Sequence, residues 1–228
     1  MGQDIRNRFQ DIQRRYRDPL LTIITALLLV LLFVAAPLEA SGVLAFQVFG
    51  FVIALAMFGC ALIVSGSVVA LSALLIGFCM NAAAAILRVR AHSGFDIYLI
   101  AAAWFILAAT LGWVVSRAVF APGQINYHRI VGAVLLYLLI GLLFVSLFVI
   151  VGAEIPKSFE GISIEDSNRL ASNLIYFSFV TLTSTGYGDI LPLHPVARSL
   201  CNLESIIGQL YPATLLARLV TLELDGRR

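Results

Sequence analysis

The residues that could do chemistry are concentrated in one short polar run between two long apolar segments. The run reads Thr181-Leu182-Thr183-Ser184-Thr185-Gly186-Tyr187-Gly188-Asp189. Its oxygen atoms suit a dehydrating cation, because an ion in a narrow pore must exchange its water shell for ligands such as backbone carbonyls. Successive carbonyls can face one axis only if some residues adopt left-handed backbone angles, which glycine tolerates without penalty. Gly186 and Gly188 meet that requirement.

Part of this run resembles the selectivity filter of the potassium channel family, whose signature is Thr-Val-Gly-Tyr-Gly-Asp. The resemblance covers Ser184 to Asp189, with Ser184 in place of the family's Thr and Thr185 in place of its Val. It implies that K⁺ is held by the Ser184 hydroxyl and by the backbone carbonyls of Ser184, Thr185, Gly186, Tyr187 and Gly188. It also implies that the filter is supported by Thr183, Asp189, Tyr176 and Phe177. The alternative interpretation is a polar turn between helices.

The composition is that of an integral membrane protein. Of the 228 residues 61% are hydrophobic and 12% are charged, against about half and a quarter in soluble domains. The net charge of +2 is too small to indicate a nucleic-acid partner. No dinucleotide, phosphate-loop or nucleophile motif is present. The sequence therefore predicts a protein of the lipid bilayer that is not an enzyme and has no organic cofactor and no evident small-molecule substrate.

Six apolar runs are near or above the roughly 20 residues that cross a bilayer. They are Leu20–Ala36, Val43–Val64, Val68–Leu87, Ile97–Ser116, Ile130–Ala153 and Val196–Leu224. A shorter run, Leu170 to Leu182, would extend only about 20 Å as a helix and cannot cross. Because it directly precedes the polar run, it predicts a re-entrant pore helix whose negative dipole end points toward the membrane centre.

The predicted fold is an all-α membrane protein of six transmembrane helices, with a re-entrant pore helix and filter between helices five and six. The predicted parts are a basic N-terminal segment (1–19), a four-helix peripheral domain (20–117), a linker (118–129) and a pore domain (130–228). Within the pore domain we expect an outer helix at 130–153, the pore helix at 168–182, the filter at 184–189 and an inner helix at 196–224.

Basic residues predict cytoplasmic N- and C-termini, since loops rich in Lys and Arg stay inside. Arginines precede the first span, Arg117 and Arg129 flank the predicted linker, and Arg227 and Arg228 end the chain. With six membrane crossings, the N-terminus, the predicted linker and the C-terminus all lie in the cytoplasm. Arg88 and Arg90 would lie outside, against the rule, so the second and third spans are the weakest part of this topology.

Three residues of the predicted inner helix are candidates for gating. Gly208 resembles the family's hinge glycine, with helix packing as the alternative, and Pro212 removes a backbone hydrogen bond four residues later. Glu204 is an ionisable residue at membrane depth. It could brace the pore helix as a protonated or hydrogen-bonded carboxyl, or act as a proton-sensitive gate.

The resemblance implies a homotetrameric, prokaryotic-type potassium channel of the plasma membrane, with K⁺ ions in the filter. The stoichiometry agrees with the single filter run, since a filter needs four loops around one axis. The fourth span lacks the regular charges of a voltage sensor. A weakly selective cation channel is the first alternative. A secondary carrier or a non-conducting scaffold is the other. The sequence does not identify the gating stimulus.

Overall fold

The computed structural model describes residues 19–41, 67–90, 95–120, 127–162 and 168–225. The described part is helical except for one two-stranded ribbon and short connections. Helix α1 covers residues 19–40 and includes a π-helical stretch, Leu31–Ala35. The others are α2 (Val68–Arg90), α3 (Phe95–Val119), α4 (Tyr127–Glu154), α5 (Asn168–Leu182) and α6 (Pro195–Asp225). The predicted second span, Val43–Val64, lies outside the described residues, as does most of the basic N-terminal segment.

Small residues set the closest approaches among the long helices. Gly132 of α4 is buried where α1 and α3 meet, and a Cβ there would lie 3.0 Å from the Val119 side chain and 3.3 Å from that of Leu21. The Thr25 hydroxyl donates to the Leu21 carbonyl within α1 at 2.7 Å and also lies 3.4 Å from the Val131 carbonyl of α4. Close packing through small side chains is how helices associate in lipid, where apolar surface alone gives little driving force.

Helix α5 is a short element enclosed by longer ones. Its Phe177 packs against Phe148 of α4, with ring centroids 5.1 Å apart, and against Phe159 at 5.5 Å. Its Phe179 meets Phe33 of the π-helical stretch of α1 at 5.3 Å. Each such aromatic pair contributes about 0.5–1.5 kcal/mol beyond its buried area. These contacts fix α5 against both α4 and α1.

A short antiparallel ribbon pairs the loop after α4 with the segment that precedes α6. Strand β1 (Phe159–Glu160) pairs with β2 (Leu191–Pro192), with Phe159 opposite Pro192. The Ser158 carbonyl extends this pairing by accepting the Leu193 backbone N–H at 2.8 Å. The ribbon therefore ties the loop after α4 to the residues that follow the polar run.

By length and hydropathy, three of the described helices can cross a membrane: Pro19–Leu38, Ile97–Val119 and Tyr127–Glu154. The apolar part of α2, Val68–Ala84, is shorter. Helix α6 is long enough but is not among the three, since residues such as Arg198, Glu204 and Arg218 lower its hydropathy. The protein is thus an α-helical membrane protein, and the six-span arrangement stays a prediction.

The long helices extend beyond the predicted apolar runs, most clearly in α3 and at the start of α4. Helix α4 begins at Tyr127, three residues before the predicted Ile130 and inside the predicted linker. Helix α3 begins at Phe95 and ends at Val119, beyond the predicted Ile97–Ser116 at both ends. Hydropathy marks only the apolar part of a helix, whereas backbone hydrogen bonding continues through polar residues that suit the water interface. The predicted pore helix 168–182 coincides with α5, Asn168–Leu182.

Candidate functional site

The first residues of the polar segment, Ser184–Asp189, hydrogen-bond to the C-terminal end of helix α5. The backbone N–H of Ser184 donates to the Thr181 carbonyl at 2.9 Å. The N–H groups of Thr185 and Gly186 both donate to the Val180 carbonyl, at 2.9 and 3.4 Å. Carbonyls at the end of a helix lack partners within the helix. Here the chain itself satisfies two of them, which fixes the first residues of the polar segment against α5.

Left-handed backbone angles recur at every second residue of the polar segment. The φ angles are 56° at Ser184, 57° at Gly186 and 80° at Gly188, and Thr185 and Tyr187 are not among the residues with positive φ. A Cβ added at Gly186 or Gly188 would meet nothing within 4 Å. Glycine is therefore favoured there by backbone conformation and not by lack of space. Backbone carbonyls can form a column on one side of a segment only if left-handed angles alternate with other angles in this way.

The side chains that follow the glycines are held against α5. The rings of Tyr176 and Tyr187 stack with centroids 6.3 Å apart and an angle of 4° between planes. The Tyr176 side chain also lies close to the Asp189 carboxylate. The predicted support residue Tyr176 therefore contacts the polar segment, and the predicted support residue Asp189 is the last residue of that segment. Phe177 instead points into the aromatic cluster with Phe148 and Phe159, so its support is through the position of α5.

Hydroxyl groups are paired where α5 passes into the polar segment. The Thr183 hydroxyl donates to the Phe179 carbonyl at 2.7 Å and lies 2.8 Å from the Thr185 hydroxyl. The Ser184 hydroxyl instead accepts a hydrogen bond from the Gln209 side-chain amide of α6, at 3.0 Å. The Ser184 side chain therefore interacts with the long helix, while its two threonine neighbours interact with each other.

The Asp189 end of the polar segment packs closely against Gly161, which directly follows strand β1. Gly161 has φ +84°, and a Cβ there would overlap the Asp189 carbonyl oxygen and lie 3.2 Å from its carbon. Only glycine fits this close approach of two backbones. Sequence reasoning did not select Gly161, because nothing in the sequence places it beside a residue 28 positions later.

Glu204 of α6 is fully buried between the three helices of this region. The Ser178 hydroxyl of α5 donates to Glu204 Oε1 at 2.6 Å and is also within 2.9 Å of the Gly141 carbonyl of α4. The other carboxyl oxygen, Oε2, has no hydrogen-bond partner among the described residues. The predicted contact with the pore helix is therefore present, and it passes through Ser178, which sequence reasoning missed.

The two other gating candidates lie in one turn of a continuous α6. A Cβ on Gly208 would overlap the Leu182 carbonyl oxygen and lie 2.8 Å from the carbonyl carbon. This contact favours the packing alternative for Gly208. Pro212, four residues on, cannot donate to the Gly208 carbonyl. Beside it, the Tyr211 hydroxyl donates to the Ala133 carbonyl at 2.8 Å, which attaches this part of α6 to α4.

Residues 134–223 match a family described as "Ion channel". The match begins within α4, includes α5 and the polar segment, and ends within α6, and it covers less than half of the chain. No curated protein and no solved structure matches the chain. The match together with the apolar helices supports an integral membrane protein with an ion-channel domain, which is a transport protein and not an enzyme.

Proposed function

We propose that this chain is one subunit of a homotetrameric potassium channel whose selectivity filter is the polar segment. K⁺ moves passively, and the carbonyls of Ser184 to Gly188 with the Ser184 hydroxyl replace its hydration shell. The observation that carries the proposal is the left-handed backbone at Ser184, Gly186 and Gly188, placed directly after a short helix that packs against three long ones.

Helix α5 supports the same assignment through its dipole. Its last residue, Leu182, is two residues before Ser184, so the negative end of the helix faces the inner end of the polar segment. A helix end carries about half a negative elementary charge. In a site with little water this partial charge lowers the energy of a cation that has lost part of its hydration shell.

The tetramer follows from the need for four loops around one axis. Helix α6 leaves large apolar side chains exposed in a single subunit, among them Leu203, Ile206 and Leu210. In the proposed assembly these side chains face neighbouring subunits or lipid. Six crossings per chain and cytoplasmic termini, which the distribution of arginines predicts, complete the proposal, together with the prokaryotic plasma membrane that the family resemblance implies.

Reversal potentials of the purified protein in planar bilayers test the ion selectivity. With K⁺ on one side and Na⁺ on the other, we expect a reversal potential near the K⁺ equilibrium value. The matched control is Gly186→Ala, which forces a Cβ into a left-handed backbone and should abolish current while the tetramer still forms. A wild-type reversal potential midway between the two ions would refute potassium selectivity.

A weakly selective cation channel is the second candidate, favoured by Ser184 and Thr185, where the family signature has Thr and Val. It predicts unitary currents with that intermediate reversal potential. A secondary carrier would instead give transport without unitary currents, and it has no structural observation in its favour.

For gating, we propose that Glu204 braces α5 through Ser178 and that movement of α6 is concentrated near Pro212. Full burial and a single shared hydroxyl favour a neutral carboxyl at Glu204, because burying an ionised group without an ionic partner is costly. The proton-sensitive gate is the alternative, and it predicts pH-dependent opening that Glu204→Gln removes.

A further inference from the structure

Gln209 is the α6 side chain that reaches the polar segment by a hydrogen bond within the described structure. Its Nε2 donates to Ser184 Oγ at 3.0 Å, and both side chains are exposed in the single subunit. Two neighbouring contacts fix this part of α6 against the end of α5. The Ser205 hydroxyl donates to the Thr181 carbonyl at 3.1 Å, and Gly208 packs against the Leu182 carbonyl.

Each partner of this hydrogen bond keeps an oxygen lone pair that can still accept a ligand. A serine oxygen has two lone pairs, of which the Gln209 amide occupies one. The second lone pair of Ser184 stays available for a cation. The Gln209 amide also carries a carbonyl oxygen, Oε1, which can only accept. Because Nε2 is engaged by Ser184, the amide is held in one orientation and Oε1 is fixed close to that hydroxyl.

We propose that Ser184 and Gln209 together form a binding site for a partly hydrated monovalent cation at the inner mouth, the Ser184 end of the polar segment. Four copies would give a ring of amide oxygens beside the ring of serine hydroxyls. The amide oxygens accept hydrogen bonds from the waters that the ion still carries, while the hydroxyls replace the first waters it loses. This inference rests on the proposed channel function and adds a specificity-determining residue outside the filter signature.

Gln209→Leu is the main test, because leucine fills similar space and has no amide. Single-channel conductance is measured while K⁺ is varied on the side of the C-terminal half of α6. We expect the half-saturating K⁺ concentration to rise about three- to tenfold, the effect of losing one ordinary hydrogen bond. An unchanged half-saturating concentration would overturn the inference. A missing K⁺ current in the wild type would instead refute the proposed function itself.

A double-mutant cycle with Ser184→Ala separates this site from a general effect of changing the pore. If the two side chains act together, Gln209→Leu should add little to Ser184→Ala, since coupled residues are not additive. Independent, additive effects would overturn the proposal. The matched control is Thr214→Val, which removes a hydroxyl from the same helix that bonds only to its own backbone, at the Leu210 and Tyr211 carbonyls. It should leave the half-saturating concentration unchanged.

Gln209→Glu keeps the test decisive if the leucine variant does not assemble. The carboxylate keeps an acceptor oxygen beside the ion and adds negative charge, so the half-saturating K⁺ concentration should fall below that of the wild type. The Ser184 hydroxyl can then donate to the carboxylate, which preserves the link between the two helices. A half-saturating concentration equal to or above the wild-type value would overturn the proposed site.

Discussion

Gly208→Ala tests whether the glycine of α6 serves packing or bending. A Cβ at Gly208 would overlap the Leu182 carbonyl oxygen and would lie 2.8 Å from the carbonyl carbon and 3.2 Å from Cα. Favourable contact between carbon atoms begins at about 3.5 Å, so the carbonyl carbon alone requires a separation of roughly 0.7 Å, and the overlapping oxygen requires more. All three atoms belong to a helix end, which cannot rotate away as a side chain can. The Tyr137 hydroxyl also holds this carbonyl, at 3.3 Å.

The expected cost follows from two opposing effects. Overpacking of a well-packed interior costs about 1–3 kcal/mol, and a backbone clash lies at the upper end. Alanine is favoured over glycine in a helix interior by about 1 kcal/mol. The net destabilisation is therefore about 2 kcal/mol. At roughly 2–4 °C per kcal/mol for a chain of this size, the apparent Tm should fall by about 4–8 °C.

Heating detergent-solubilised protein and then measuring by size-exclusion chromatography how much of the proposed tetramer survives gives the apparent Tm. Gly112→Ala in α3 is the matched control, because its Cβ would lie 3.7 Å from the Leu136 side chain, an ordinary contact. It gains the same helix propensity without a clash and should melt at or above the wild-type temperature. If Gly208→Ala melts like Gly112→Ala but changes open probability, the packing argument is wrong and the hinge interpretation holds.

Three further predictions concern the surroundings of the polar segment. Gly161→Ala should disturb the backbone at the Asp189 end of the polar segment and reduce K⁺ over Na⁺ selectivity in bilayers, and unchanged selectivity would contradict a role for this contact in selectivity. Glu204→Gln keeps an acceptor for the Ser178 hydroxyl, so conductance and its pH dependence should match the wild type; a flattened pH profile would indicate a proton-sensitive gate. Open probability should change gently with voltage, because the apolar length of α3 lacks gating charges, and a steep activation curve would reveal an unidentified sensor.

Elements that are marked by their own apolar length or residue type were predictable from the sequence. Helix α5 was predicted from an apolar run too short to cross a membrane, and the need for left-handed angles at Gly186 and Gly188 followed from residue type alone. Helix α6 was also predicted, at 196–224 against the observed Pro195–Asp225, although polar residues such as Gln209 and Glu204 lower its hydropathy. A helix that lines water on one side need not be apolar around its circumference.

Contacts across long sequence separations could not be predicted in this way. The pairs Ser178 with Glu204, Gln209 with Ser184 and Gly161 with Asp189 are each more than 20 residues apart. The first two pairs meet because α5 and α6 pack together, and the third meets because β1 pairs with β2. A single sequence records which residues can hydrogen-bond, but the choice of partner is made by the packing of the helices and the pairing of the strands.

Ser184 shows how packing overrides residue type. Sequence reasoning assigned left-handed angles to the glycines, yet Ser184 has φ 56° as well. For a residue with a Cβ this conformation costs roughly 1–2 kcal/mol, and it persists only where surrounding contacts favour it. Two contacts do so here: its N–H donates to the Thr181 carbonyl and its hydroxyl accepts from Gln209. At about 0.5–1.5 kcal/mol each, these bonds are of the size needed to offset the strain, so α6 helps to set the backbone of the segment that we propose binds the ion.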